Sequence, residues 1–323
     1  MASSAPTNDR APSVHGAPEN SRRSTPPPQD GAHETSAPFR DRLYDLTVSA
    51  GSRVLRRVEG FVGRASLVGD RPVHDPARHP GHFAWTRRLE ENWRPIRREL
   101  DAVLEHREHL PNFQDISRDQ QHITDDDDWK TFFLYGFGHK AEKNCARCPE
   151  TTRLVESVPG MKTAFFSILA PGKHIPDHRG PYKGVLRYHL GLKVPRQREQ
   201  CRIRVADEVR HWEEGEGLLF DDTYHHEVWN DTDEERAILF MDVERPLRFP
   251  VSLLNKTVIA LVGLSPFVQN AKTNQEQWAE RFAQAAEPKR AKPDAPTTDG
   301  PTTDGPMTDG DPRPRRAQAS NGG

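Results

Sequence analysis

Residues 174–195 read HIPDHRGPYKGVLRYHLGLKVP and residues 215–243 read GEGLLFDDTYHHEVWNDTDEERAILFMDV. Two histidines, His178 and His226, lie 48 residues apart, each beside a run of aliphatic, β-branched or aromatic residues. Side chains alternate across a strand, so Val185–Leu192 places Leu186, Tyr188, Leu190 and Leu192 on one face. Arg187 and His189 then share the other face. A guanidinium and an imidazole side by side, just after a histidine-bearing loop, point to an anion held next to a metal.

Working outward, the chain from Met161 consists of short runs with strand texture: Lys162–Leu169, Val185–Leu192, Cys201–Ala206, Gly217–Phe220, His226–Trp229 and Ala237–Val243. Turn signals separate them: Pro171-Gly172, Gly180-Pro181, the glycines at 215 and 217, and Asn230-Asp231. Many short strands so punctuated predict a β-sandwich or jelly roll. After Pro250 the pattern is helical to about Phe282, as a brace on the β core. Asn270–Phe282 is too polar to be buried on all sides.

Before the strands, Trp85, Leu89, Trp93, Ile96, Leu100 and Val103 recur at helical spacing, a buried stripe with a kink expected at Pro95. Leu43–Phe61 reads as a further helix with arginines among its apolar positions. Packing on the domain is favoured over lying on an anionic membrane, because Gly51, Gly60 and Gly63 weaken it. The run Asp125–Asp128 reads as a solvated loop or helix cap. Cys145 and Cys148 form a CxxC with no second pair of ligands nearby, so structural thiols are expected rather than zinc.

The two ends are different in kind. Residues 1–38 and 287–323 each hold seven of the 28 prolines and few bulky apolar groups, and the second carries near-repeats of Pro-Thr-Thr-Asp-Gly. Such segments bury too little apolar surface to offset chain entropy. The expected organisation is a tail at 1–38, a helical lead-in at 39–78, a β domain at 79–250, a helical brace at 251–286 and a tail at 287–323. The formal net charge is -2, which gives no field toward nucleic acid. Three cysteines are too few for a disulfide framework. The first residues hold no apolar leader, and no run reaches the ~18–20 apolar residues of a membrane span. The expectation is a cytoplasmic monomer, with peripheral contact at the inner face of a membrane as a further reading.

The motifs His178-Arg-Gly-Pro, Leu186-Arg-Tyr-His-Leu-Gly-Leu and Phe220-Asp-Asp-Thr-Tyr-His-His-Glu-Val-Trp, in this order and spacing, resemble the aspartyl/asparaginyl β-hydroxylase family. The resemblance runs from Glu91-Asn-Trp through Asp242-Val-Glu-Arg-Pro. It implies a double-stranded β-helix (jelly-roll, cupin-like) core with flanking helices, and a dioxygenase that uses Fe(II), 2-oxoglutarate and O2. Carried over by position, His178 and His226 become the iron ligands. Arg236 grips the distal carboxylate of 2-oxoglutarate, Ser167 adds a hydrogen bond there, and Arg187 and His189 hold the oxalyl end. His225 should face away from His226, and Arg245, just beyond the last strand, should tolerate substitution.

Gly180 stands where the wider dioxygenase superfamily has an acidic ligand; family members that modify Asp or Asn residues also lack that carboxylate, and water can take its place. Asp177 and Asp222 are the acids that could substitute, though neither is at the matching position. The resemblance leaves a peptide, amino-acid or acyl substrate open. Hydroxylation at the β-carbon of an Asp or Asn residue ranks first and of a lipid A-type acyl chain second. A non-catalytic cupin-like binding module would keep the fold without the iron, but retention of His178, His226 and Arg236 argues against it.

Overall fold

The computed structural model describes residues 57–117 and 123–286; the expected tails at 1–38 and 287–323, and most of the helix expected over 43–61, lie outside them. In chain order the elements begin with helix α1 (57–65), β1 (Val73–His74), α2 (Pro80–Glu91), α3 (Trp93–Leu104) and α4 (Phe113–Ile116). Next come β2 (Trp129–Gly136), β3 (His139–Lys140), α5 (Glu142–Arg147), α6 (Pro149–Glu156), β4 (Met161–Leu169), β5 (His174–His178) and β6 (Val185–Lys193). The chain continues through β7 (Cys201–Val205), β8 (Glu208–His211), β9 (Gly217–Phe220), β10 (His226–Asn230), β11 (Arg236–Glu244), α7 (Val251–Gly263) and α8 (Pro266–Ala285).

The strands form two antiparallel sheets, β1-β9-β6-β11-β4-β2-β3 and β5-β10-β7-β8. From β4 to β11 the chain passes back and forth between them, with only the β7–β8 hairpin staying within the small sheet, and this makes the double-stranded β-helix. Register explains the division of labour within the large sheet. Leu239 lies opposite Leu190 and Phe166, and Met241 opposite Tyr188 and Ala164, so these residues share the outer face. There they form one apolar cluster with Leu89, Ile96 and Leu100 from α2 and α3. The inner face carries Phe165, Leu169, Ile238 and Phe240, which pack against Ile175, Ile203 and Val228 of the small sheet.

Three local expectations change. The helical stripe is broken at Asn92 rather than kinked at Pro95. Pro95 falls in the first turn of α3, where its missing N–H takes no helical bond away. His178 ends strand β5 instead of sitting in a loop, and β2 was missed because Trp129–Gly136 is buried on both faces and shows no alternation. The acidic run forms a bend, yet Asp126 is bonded to the buried Lys173 Nζ at 2.7 Å. Cys145 and Cys148 are unpaired and buried at the α5–α6 junction.

The helical brace divides in two. α8 buries Phe282, Ala279 and Gln275, the first of these against Phe132 of β2. In α7, Val251 and Asn255 are the buried residues, while Leu253, Leu254 and Leu261 are exposed. No single helix among the described residues is long and apolar enough to cross a membrane.

Candidate active site

β5 and β10 are neighbours in the small sheet, and their register sets His178 directly opposite His226. Directly paired residues point to the same face, so the two rings meet with centroids 4.2 Å apart. His178 Nδ1 lies 2.7 Å from the Pro176 carbonyl oxygen, and His226 Nδ1 3.0 Å from that of Tyr224. A carbonyl can only accept, so each Nδ1 carries the proton and each Nε2 presents its lone pair, the tautomer a metal needs. Burial, then the neighbouring His178, holds His226 well below the ordinary histidine pKa, in the neutral form that binds metal. His225 points outward, its Nδ1 2.6 Å from the Asp177 carboxylate.

The position of Gly180 is filled from elsewhere. A Cβ built there would lie 2.1 Å from Asp222 Oδ2, and the Gly180 N–H donates to the Asp222 carbonyl at 2.7 Å. Asp222 is buried, and its Oδ1 has no hydrogen-bond partner. Burial raises its pKa to about 6, against the opposing pull of the Arg187 guanidinium. Asp177, the other candidate, is turned away to Arg204. Among the described residues no three His, Cys, Asp or Glu side chains converge as a metal site. The candidate donors that the fold brings face to face are the two imidazoles of His178 and His226.

Arg236 starts β11 opposite Leu169, and Ser167 lies opposite Ile238, so Arg236 and Ser167 share the inner face one pleat apart. Arg236 is 2% exposed, and its Nε and Nη1 have no hydrogen-bond partner. No carboxylate among the described residues pairs with it. Burial pulls its pKa down to about 10. Its guanidinium lies 4.6 Å over the Trp212 ring, which in turn stacks on His189. Both ring nitrogens of His189 and the Trp212 Nε1 are likewise buried without partners. A cluster of unanswered donors around a buried cation is a cradle for a carboxylate. Ser167 Oγ accepts from Trp129 Nε1 at 3.0 Å, leaving its own proton to donate.

Arg187 is engaged within the protein. It is bonded to Asp222 at 2.8 Å and to Asp242 at 3.0 Å, so its charge is spent on positioning Asp222. Arg245 is a correction: it is not a tolerant position, since it is fully buried and paired with Asp221 while also donating to the Lys183 carbonyl at 2.8 Å. Burial alone would raise Asp221, but Arg245 and Lys183 outweigh it and hold the carboxyl low. Trp212 escaped sequence reading altogether, because a tryptophan in a polar Arg-His-Trp-Glu-Glu context carries no motif.

The model of the family described as aspartyl/asparaginyl beta-hydroxylase matches residues 90–246. An ornithine lipid ester-linked acyl 2-hydroxylase of Rhizobium tropici is 46% identical over 70% of this chain and 79% of its own length. The human aspartyl/asparaginyl beta-hydroxylase is 37% identical over 51% of this chain, which spans 22% of that longer protein. Among solved structures, a viral collagen prolyl hydroxylase from Paramecium Bursaria Chlorella virus-1, in a 2OG complex, aligns over 38% of this chain and 81% of that one. Its identity is 13% and its TM-score 0.26, too slight a likeness to add to the strand topology.

Proposed function

This chain belongs to the aspartyl/asparaginyl β-hydroxylase family, and from that premise we propose that it is an Fe(II)- and 2-oxoglutarate-dependent hydroxylase of a lipid acyl chain. The observation that carries the cofactor assignment is Arg236, a buried cation with two unanswered donors on the inner wall of a barrel that also holds paired, correctly tautomerised histidines. The residues fit both groups. His178 and His226 would hold iron through Nε2, and Arg236 would take the distal carboxylate of 2-oxoglutarate.

When bound, iron with 2-oxoglutarate supplies the oxidising power that inserts one atom of O2 into a C–H bond, while the co-substrate loses CO2. The chain's own residues do the rest. The planar fork of Arg236 makes two parallel charge-assisted bonds to a carboxylate, a geometry lysine lacks. The Ser167 hydroxyl adds a donor on the same face. Trp212 and Phe240 cover Arg236 and His189 and keep water from the cradle. Arg187 fixes Asp222 over Gly180, so that an acceptor oxygen stands at the side of the histidines where no protein ligand does.

The acyl substrate is supported by the Rhizobium tropici relative, which matches four-fifths of its own length. A second reading, hydroxylation of Asp or Asn side chains, is favoured by Gly180 and by the human relative. The test is to incubate the purified chain with Fe(II), 2-oxoglutarate and either an ornithine lipid or an Asp/Asn-containing peptide. Gain of one oxygen on the acyl part of the lipid supports the first reading. Oxygen gained on the peptide alone would replace it with the second. Turnover with neither, and no 2-oxoglutarate consumed, would overturn both.

A further inference from the structure

Helix α7 is built inside out. Asn255 faces inward and is fully engaged, accepting from the Tyr182 hydroxyl at 2.6 Å and donating to the Gly184 carbonyl at 2.9 Å. Leu253, Leu254, Leu261 and Leu264 fall on the opposite arc of the helix and are 50–74% exposed. A surface helix normally does the reverse. The face does not end with the helix. Phe249, just before α7, is 81% exposed, and Phe61 of α1 is 48% exposed. α1 is joined to the start of α7 by the Ser66–Leu247 bridge and by the Arg248 N–H donating to the Ala65 carbonyl. Val62, Leu247 and Val251 form the small core beneath them. Large exposed leucine and phenylalanine side chains gathered on two linked helices mark an interaction surface.

Charge identifies the occupant. Between Glu244 and Glu276 the chain has no acidic residue, while Arg245, Arg248, Lys256 and Lys272 occur there. Arg57, Arg64, Arg248 and Lys256 are exposed around the apolar arc. The acid on the described part of α1, Glu59, is neutralised by Arg179 at 2.7 Å. An apolar face rimmed by unopposed cations suits an anionic bilayer surface. Position agrees with charge. The loop that follows His178 is tied to the two helices that carry this face, through Arg179 to Glu59 of α1 and through Tyr182 to the buried side of α7 at Asn255.

We propose that α7 and α1 form a monotopic membrane-docking face, which seats the chain on an anionic lipid surface with the loop after His178 held against it. In naming the surface from which substrate is drawn, this rests on the acyl-hydroxylase reading, although its observations are separate from the metal and carboxylate sites.

The test is flotation of the full chain with vesicles of phosphatidylcholine containing phosphatidylglycerol, and with pure phosphatidylcholine vesicles. The chain should float with the anionic vesicles and much less with the neutral ones. Leu254→Glu/Leu261→Glu, at positions exposed enough to leave the fold alone, should weaken the partition by at least about tenfold. The same double variant should bind 2-oxoglutarate as the parent does, and His226→Ala should float as the parent does. Flotation lost in the parent, or kept in the double variant, overturns the proposal while leaving the cofactor assignment standing. A concentration-dependent dimer by light scattering, abolished by the same two glutamates and unaccompanied by flotation, would assign the face to a second copy instead. Flotation with failed 2-oxoglutarate binding would remove the functional reading and keep the docking face.

Discussion

The two faces of strand β11 follow different rules. Outward, Ala237, Leu239, Met241 and Val243 are buried against aliphatic and aromatic neighbours with nothing left over. Inward, the same strand offers Arg236 with two unanswered donors, then Ile238 and Phe240. The outer face is a solved packing problem. The inner face is left unfinished, since isolated charge in an apolar wall is unfavourable until a counter-ion arrives. The difference teaches that stability and function are segregated by the period of the strand, two residues at a time.

The sharpest way to break that comparison is at the metal end of the inner face. His226→Ala should abolish tight Fe(II) binding, measured by calorimetric titration, whereas His225→Ala should retain most of it. Equal losses at the two positions would contradict the inward-outward division of the strand. Next in size is Arg236. Arg236→Met should raise the 2-oxoglutarate dissociation constant by roughly two to three orders of magnitude, because the bound carboxylate loses a buried charged partner. Arg236→Lys should fall between parent and Met. Thermal denaturation of the ligand-free Arg236→Met protein should show a melting temperature equal to or above the parent's. A clear drop would mean that Arg236 already has a structural partner.

The outer face should give the opposite pattern. Leu239→Ala leaves a cavity and should lower unfolding stability by about 2–5 kcal/mol in urea titration, with iron and 2-oxoglutarate affinity unchanged in the folded protein. Smallest is a pH effect away from β11. His74 is buried, and burial followed by the nearby Arg245 lowers its pKa to about 4. The unfolded chain takes up a proton near pH 6.5 that the folded chain refuses, so the contribution is whole above 6.5 and is lost as pH falls toward 4. Between pH 6.5 and 5 this should remove about 2 kcal/mol of stability. His74→Gln should flatten that part of the pH–stability curve, and an unchanged slope would exclude His74 as its source.

The sequence revealed most where one face repeats. Leu186, Tyr188, Leu190 and Leu192 announced β6, and the opposite phase put His189 inside. β2 was silent because both its faces are covered, and β8 because three of its four residues are exposed. The histidine pair stood out by its context and took the role of iron ligands from the family motifs; its tautomers followed only from the carbonyls that face each Nδ1. Arg187 and Arg245 could not be placed from sequence, because their partners Asp222, Asp242 and Asp221 are distant in the chain or belong to a run of two aspartates that point different ways. Apolar content made α7 look like a brace, but only the structure shows which side its leucines take.

Gly180 and Asp222 share one volume of space, since any side chain at 180 would begin where the Asp222 carboxylate already stands. Two positions 42 residues apart in the chain therefore behave as one locus that holds a single acid. Placing the acid at 180 would collide with a carboxylate pinned by Arg187, and removing it from 222 would leave Arg187 half-answered. For a lineage drifting one substitution at a time, the two arrangements of the site are neighbouring valleys separated by a ridge, and this chain is settled in the one where the acid is supplied from the loop before β10.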